Sequence, residues 1–350
     1  MNSVVIFDCE RMKYPNTGLY HFCKELGSAL LRQQPNHTKF SFYLPEQEKG
    51  VFGADQHYIF QSSHHKFWLK HNPTHHIWHS TFQGTQYLPF KTKGLKIVST
   101  IHDLNFLHEN KSSLKEEKYL LKVQKLINKS DHIVAISNFV RSQVLEYLRI
   151  DEKKISVIYN GTNKPKTLDY VKPEAVTEKP FFFSIGTILE KKNFHVLPAM
   201  LLHNDYELII AGITQNEGYK NKIIAEAQRL GVADRVKLIG AISDSEKYWL
   251  FNHCAAFCFP SIAEGFGLPV VEAMQFGTPV ILSKATSLPE IGGPHAFYFD
   301  SLDADSVSET ADRFLQTVFE KEFKTKLINW AAQFDWDIAA KAYWNLYNKF

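Results

Sequence analysis

The sequence predicts two α/β domains, each built on a doubly wound parallel sheet, and three observations carry that prediction. The chain has 350 residues, more than one hydrophobic core serves once it passes about 250 to 300 residues. Short β-branched or aromatic runs alternate with longer stretches whose apolar residues recur every three or four positions, the pattern of parallel strands covered by helices on both faces. The alternation stops once, from Asn160 to Pro180, and then restarts.

In chain order, the first half offers strands at Val4 to Phe7, Phe40 to Leu44, Ile97 to Ile101, His132 to Ile136 and Ile155 to Ile158. Amphipathic helices are expected at Leu19 to Leu31, Leu114 to Ile127 and Phe139 to Leu148. The pause at Asn160 to Pro180 holds Gly161, Pro165, Pro173 and Pro180 without apolar periodicity and reads as a linker. Strands resume at Phe181 to Ile185, Tyr206 to Ala211, Val236 to Ile239, Ala256 to Phe259, Pro279 to Leu282 and Phe297 to Phe299. Helical periodicity returns over Ser306 to Phe319 and from Trp336 onward. The expected division is 1–165, 166–335 and a closing helix over 336–350. In open α/β sheets ligands bind beyond the carboxyl ends of the strands, so two such domains place the expected site in a cleft between them.

A chain 44% hydrophobic and 22% charged is an ordinary globular protein, and no stretch reaches the roughly 20 apolar residues that span a bilayer. The first residues lead at once into Val4-Val5-Ile6-Phe7 without the basic flank or cleavage site of a secretion signal. Cys9, Cys23, Cys254 and Cys258 lack a disulfide-framework or zinc spacing, which fits buried thiols in a reducing cytoplasm. Charge is divided unevenly. Residues 1–165 hold 22 Lys and Arg against 14 Asp and Glu, a net +8, while residues 166–350 hold 18 against 23, a net −5. Twelve of the sixteen His also fall in the first half, with His64, His65, His71, His75 and His76 grouped around Lys66, Trp68 and Lys70. Such a basic, aromatic surface suits anionic lipid headgroups, a phosphorylated acceptor or nucleic acid, although no nucleic-acid fold signature accompanies it.

Two segments concentrate the chemistry. In the run from Phe259 to Met274 a strand ends, a Gly-containing loop follows, and Pro269 stands where a helix would begin. Amides in such a loop and at a helix start attract phosphate. Glu264 and Glu272 would repel phosphate, and their natural partners are neutral diols, because a carboxylate accepts two hydroxyl hydrogen bonds at once. In the run from Ser184 to Asn193 a strand closes, Gly186 permits a tight turn, and Lys191 and Lys192 precede a helix, a pattern that suits a diphosphate.

Glu264 to Glu272 resembles the E-x7-E motif of retaining glycosyltransferases of family 4, in its mannosyltransferase-like subset. That resemblance implies the GT-B fold, two Rossmann-like doubly wound domains facing across a cleft, and transfer of a sugar from a nucleotide-sugar donor to an acceptor hydroxyl with retention of configuration. By it, Glu264 holds the donor sugar, Glu272 the nucleotide ribose, and Gly265, Phe266, Gly267 and Leu268 meet sugar or phosphates. Gly186, Thr187, Lys191 and Lys192 become donor-binding, with Lys192 the phosphate ligand and, with Glu264 and His102, a catalytic residue; Lys191 stands where Arg is usual, so a bidentate contact is lost. The segment Thr100 to Phe106 resembles the family's His-Asp loop, which brings His102 to the reaction centre and makes Asp103 a candidate acceptor or cleft residue, or else one that caps or orients the loop. Pro15 to Tyr20 resembles a glycine loop that opens a helix, making Gly18 a donor contact, and Ser137 and Asn160 are candidate acceptor or cleft residues.

Asp303-Ala304-Asp305 and Asp335-Trp336-Asp337 spell D-x-D, the metal motif of the other major glycosyltransferase fold, but both stand at expected helix starts, where Asp is favoured as a cap. The expectation is a cytoplasmic, metal-independent enzyme without a cofactor. GDP-mannose is its first-choice donor, ahead of a UDP-sugar, and its acceptor is a glycan or lipid-linked saccharide in surface-polysaccharide assembly. The basic first domain is expected to touch an anionic membrane peripherally, and no nucleic-acid partner is expected. The alternatives are an epimerase or phosphorylase on the same architecture and a membrane- or nucleic-acid-binding module without catalysis.

Overall fold

The computed structural model describes residues 3–15, 17–69, 76–90, 92–109, 112–163 and 170–350. His71, His75 and Lys70 of the His-rich stretch, Asn16 of the glycine loop and residues 164–169 of the linker lie outside them. The chain divides into two compact units, one of Met1–Asn163 with Phe334–Phe350 and the other of Lys164–Gln333.

The first unit runs β1 (Ser3–Asp8), α1 (Gly18–Arg32), β2 (Thr38–Leu44), β3 (His57–Phe60), β4 (Ile77–Ser80), β5 (Lys96–Ile101), α2 (Ser113–Lys129), β6 (His132–Ala135), α3 (Asn138–Tyr147) and β7 (Ile155–Val157). All seven strands are parallel, in the order β3-β2-β1-β4-β5-β6-β7, so the winding reverses between β1 and β4. Strands β3 and β4 escape the reading of periodicity. Ile77-Trp78-His79-Ser80 is short and half polar, yet β4 lies mid-sheet with all four residues buried. His79 is tolerated there because its two ring nitrogens are hydrogen-bonded to the hydroxyls of Thr100 and Tyr347, at 2.8 and 2.6 Å.

The second unit runs β8 (Phe181–Ile185), β9 (Glu207–Ala211), α4 (Glu217–Arg229), β10 (Val236–Gly240), α5 (Asp244–His253), β11 (Ala256–Phe259), α6 (Leu268–Gln275), β12 (Val280–Leu282), α7 (Leu288–Gly292), β13 (Phe297–Tyr298), α8 (Ala304–Gln316) and α9 (Phe323–Ala331). Its six parallel strands take the order β10-β9-β8-β11-β12-β13, with the reversal between β8 and β11. Phe182, Phe194, Leu208, Ile210, Cys258 and Ile281 join one core beneath the helices. Periodicity also misses α4, α5 and α9. Helix α5 mixes charges and aromatics around its axis, but Ser243 and Glu246 form a capping box that sets its start.

The last helix, α10 (Trp336–Tyr347), belongs to the first unit. It buries Trp336, Tyr343, Trp344 and Tyr347 in that unit's core, and the Trp344 indole donates to the Leu30 carbonyl of α1 at 3.0 Å. A backbone bridge between Thr162 and Asp335 ties the outgoing and returning strands of chain together. Both D-x-D tripeptides sit at helix starts: Asp303 caps α8 by accepting from the Ser306 amide at 3.0 Å, and Asp335 caps α10.

Candidate active site

In the second unit, the segment after β8 and the segment after β11 leave the sheet at the same edge, on either side of the point where strand order reverses. That is where open α/β sheets bind ligands. After β8 the chain turns at Gly186 and makes a 3₁₀ turn over Glu190–Lys192 that ends in left-handed Asn193. After β11 it forms the loop that leads to α6. Lys192 Nζ donates to Glu264 Oε1 at 2.5 Å, joining the two segments; the side chains are 15% and 14% exposed, so the pair is sheltered but reachable.

Several contacts fix this pair. Ser261 Oγ lies 2.7 Å from Glu264 Oε1 and 3.0 Å from the Lys191 carbonyl, which also accepts from the Ile262 amide at 2.9 Å. The Glu264 amide donates to Thr286 Oγ1 at 3.0 Å, and Ser287 Oγ donates to the carbonyls of Glu264 and Phe266. Lys192 Nζ also stands 4.8 Å from the centre of the Phe259 ring, so its charge rests on an aromatic face. The loop is thus locked against both strand ends.

Gly212, just beyond β9, is the hidden support. A Cβ there would lie 1.9 Å from the Gly186 carbonyl oxygen, so only glycine lets the two strand ends run this close. Gly267 has φ of 104° and caps α6 without a side chain; Pro269 brings no N–H and Val270 donates to the Gly267 carbonyl at 3.0 Å, so the Leu268 amide is the helix-start donor left without a side-chain cap. Gly265 and Phe266 are buried in the loop, Leu268 opens α6, and Thr187 is half-buried beside Gly186.

Glu272, one turn into α6, has a partner that the sequence reading did not identify. Lys247 of α5 donates to its Oε1 at 3.0 Å and lies 3.1 Å from Asp244 Oδ1. Burial alone would depress this ammonium, yet Glu272 and Asp244 hold its pKa well above the ordinary lysine range. Both motif carboxylates therefore have a lysine in contact, whereas the sequence reading gave them only neutral hydroxyls. A carboxylate held through one oxygen still has lone pairs for a diol.

In the first unit, His102 follows β5 and is 9% exposed. Its Nε2 donates to the Thr81 carbonyl at 2.7 Å, which fixes the tautomer, and burial pushes its pKa down to about 4 despite that bond. The imidazole is neutral at neutral pH. Gln83 places the loop from both ends, accepting from the His102 amide at 3.1 Å and donating to the Asp103 carbonyl at 3.1 Å. Asp103 Oδ1 accepts from the Asn105 amide, a turn-capping bond. Ser137 is buried and caps α3 through the Val140 amide. Asn160 is buried just after β7. Gly18 is the first residue of α1, and a Cβ there would meet nothing within 4 Å, so no crowding demands glycine. Sequence reasoning missed Lys247, Gln83 and Gly212; the only signal for the last was a Gly directly after an apolar strand.

Two family sequence models cover most of the chain: "Glycosyltransferase Family 4" matches residues 51–164 and "Glycosyl transferases group 1" matches residues 166–333. The Escherichia coli O-antigen chain mannosyltransferase B is 24% identical, with 95% of this chain and 96% of the relative aligned. The Escherichia coli serotype-specific mannosyltransferase WbdA is 29% identical over 69% of this chain, which spans only 32% of that longer protein. Among solved structures, a glycosyltransferase from Rickettsia africae superposes with a TM-score of 0.74 at 18% identity, covering 99% of this chain and 98% of its own. The Anabaena protein HepE, in complex with UDP and glucose, gives 0.73 at 15% identity, covering 99% and 100%. Fold and motifs together define a nucleotide-sugar glycosyltransferase of the GT-B architecture. The chain belongs to glycosyltransferase family 4.

Proposed function

We propose that this glycosyltransferase moves mannose from GDP-mannose to a hydroxyl of a glycan or lipid-linked acceptor during surface-polysaccharide assembly, with retention and without a metal. The observation that carries the donor site is the Lys192–Glu264 pair at the strand-order reversal, beside the side-chain-free start of α6. The mannosyl assignment is supported by the names of the relatives, which are O-antigen and serotype-specific mannosyltransferases.

Breaking the anomeric bond leaves a nucleoside diphosphate whose growing charge needs fixed positive partners. Lys192, Lys191 and the Leu268 amide at the start of α6 supply them, which a metal would otherwise do. Glu264 releases Lys192 to the diphosphate and turns its lone pairs to the sugar hydroxyls, while Glu272, held by Lys247, takes the ribose diol. Neutral His102, whose Nε2–H is held by the Thr81 carbonyl, accepts a hydrogen bond from a sugar hydroxyl at Nδ1 without adding charge. The leaving phosphate accepts the acceptor's proton, so attack occurs on the face the nucleotide leaves and configuration is retained.

Thermal unfolding of the chain with GDP, UDP, ADP and their sugar conjugates, with and without EDTA, tests this reading, since a ligand of the native state raises apparent stability. GDP-mannose should give the largest rise, unchanged by EDTA. A larger rise with a UDP-sugar replaces the guanine assignment, and a rise abolished by EDTA removes the metal-free mechanism.

A further inference from the structure

Among the described residues, only two that are not glycine lie in the left-handed region of backbone space, Asn193 at φ 56° and Thr286 at φ 53°. They stand at the two halves of the Lys192–Glu264 pair. Asn193 directly follows Lys192, and asparagine tolerates that region. A β-branched residue does not, because its Cβ crowds the carbonyl that follows, so Thr286 is strained. Such strain persists only where the surroundings enforce it, and it collects at functional sites.

Thr286 lies between β12 and α7, in a segment whose hydroxyls hold the Glu264 loop by its backbone. Ser283 Oγ donates to the Ser261 carbonyl at 2.5 Å, and Ser287 Oγ donates to the carbonyls of Glu264 and Phe266, each at 3.0 Å. Thr286 Oγ1 accepts from the Glu264 amide at 3.0 Å, and of the three hydroxyls it alone gives the loop an acceptor. Glycine at this position would relieve the strain but would offer that amide nothing. The Glu264 carboxylate is held through one oxygen, since Lys192 Nζ and Ser261 Oγ both reach Oε1, at 2.5 and 2.7 Å. Oε2 is left for a ligand hydroxyl, and its direction depends on the backbone that Thr286 fixes.

We infer that Thr286 is a positioning residue for sugar transfer: its strained backbone brings Oγ1 to the Glu264 amide, and that bond aims Glu264 Oε2 at the donor sugar. The inference rests on the donor-site reading of Glu264. Thr286 touches no reacting atom and acts through Glu264, where a displacement of about 1 Å costs on the order of 100-fold in rate.

Three substitutions separate the hydroxyl from the strain. Thr286→Val keeps the branch and loses the acceptor, Thr286→Ser keeps the acceptor and loses the branch, and Thr286→Gly loses both. With GDP-mannose, or with the sugar nucleotide that replaces it in the thermal-unfolding series, Thr286→Val and Thr286→Gly should lower kcat and kcat/KM together by roughly 10- to 100-fold, with little change in donor KM. Thr286→Ser should stay within about 3-fold of the unaltered protein. Stability should follow the branch instead, so Thr286→Ser and Thr286→Gly should unfold at higher denaturant concentration than Thr286→Val. Hydrogen exchange of the 261–268 segment, read by mass spectrometry without ligand, needs no turnover. Exchange there should quicken in Thr286→Val and Thr286→Gly and stay slow in Thr286→Ser. The positioning role is overturned if exchange is the same in all four proteins, if Thr286→Val turns over normally, or if activity tracks stability so that Thr286→Gly outperforms Thr286→Val. Absence of glycosyl transfer by the unaltered protein overturns the donor-site reading instead, and the exchange rates still decide whether Thr286 holds Glu264.

Discussion

At the scale of single residues, the account depends on Lys192, Glu264 and the lysine behind Glu272. Lys192→Ala and Glu264→Ala should each lower kcat/KM by at least about 100-fold, the size of losing a main transition-state contact. Near-normal turnover in steady-state assays of either variant would end the assignment. Lys247→Ala should act differently. Lys247 touches Glu272 and not the reacting atoms, so its loss should raise KM for the donor about 10-fold or more while kcat changes little; Lys247→Arg, which keeps the charge, should recover most of the loss. Equal loss in kcat and kcat/KM would place Lys247 in the chemistry itself. Gly212→Ala inserts a methyl group against the Gly186 carbonyl at a backbone φ of 142°, and should both destabilise the second unit and weaken nucleotide binding, checked by thermal unfolding with and without nucleotide.

At the scale of elements, two buried histidines, His79 in β4 and His102 just after the neighbouring β5, make stability depend on pH. Burial holds the pKa of His79 at about 3 and of His102 at about 4, each below the ordinary value of 6.5. The native state therefore binds fewer protons than the unfolded state between these values, and stability rises with pH there. Their contribution is full above about pH 6.5 and is lost as pH falls toward 4 and then 3. Denaturant titrations should show a loss between neutral pH and about pH 4.5, reduced in His79→Gln; a pH-independent midpoint would show that neither imidazole is buried neutral. The same strands show where sequence legibility stops. Long amphipathic α1, α2 and α3 are readable because their apolar positions recur at helical spacing. Strand β4 is not, because a strand whose histidine is satisfied by Thr100 and Tyr347 needs tertiary partners to be stable. In the site, Glu264, Glu272 and Lys192 are legible as motif residues, but Lys247 is not: its pairing with Glu272 depends on α5 packing against α6, which no local spacing encodes.

At the scale of the whole molecule, two units each carry their own core, and the chain returns to the first through α10. Trp336, Tyr343, Trp344 and Tyr347 are buried there, and losing even one such aromatic side chain from a core costs about 3 to 5 kcal/mol. A chain ending at residue 335 should therefore unfold in two separated steps, with the early one removing the signal of the first unit and the later one still raised by nucleotide. A single transition, or loss of both steps together, would contradict the assignment of α10 to the first core alone. The most direct test of the central claim is a crystal structure with a nucleoside diphosphate bound in EDTA. The account predicts diphosphate oxygens within about 3 Å of Lys192 Nζ and of the Leu268 amide at the start of α6, with the ribose hydroxyls on Glu272. A nucleotide bound elsewhere, or one that binds only when a divalent cation is added, would contradict it.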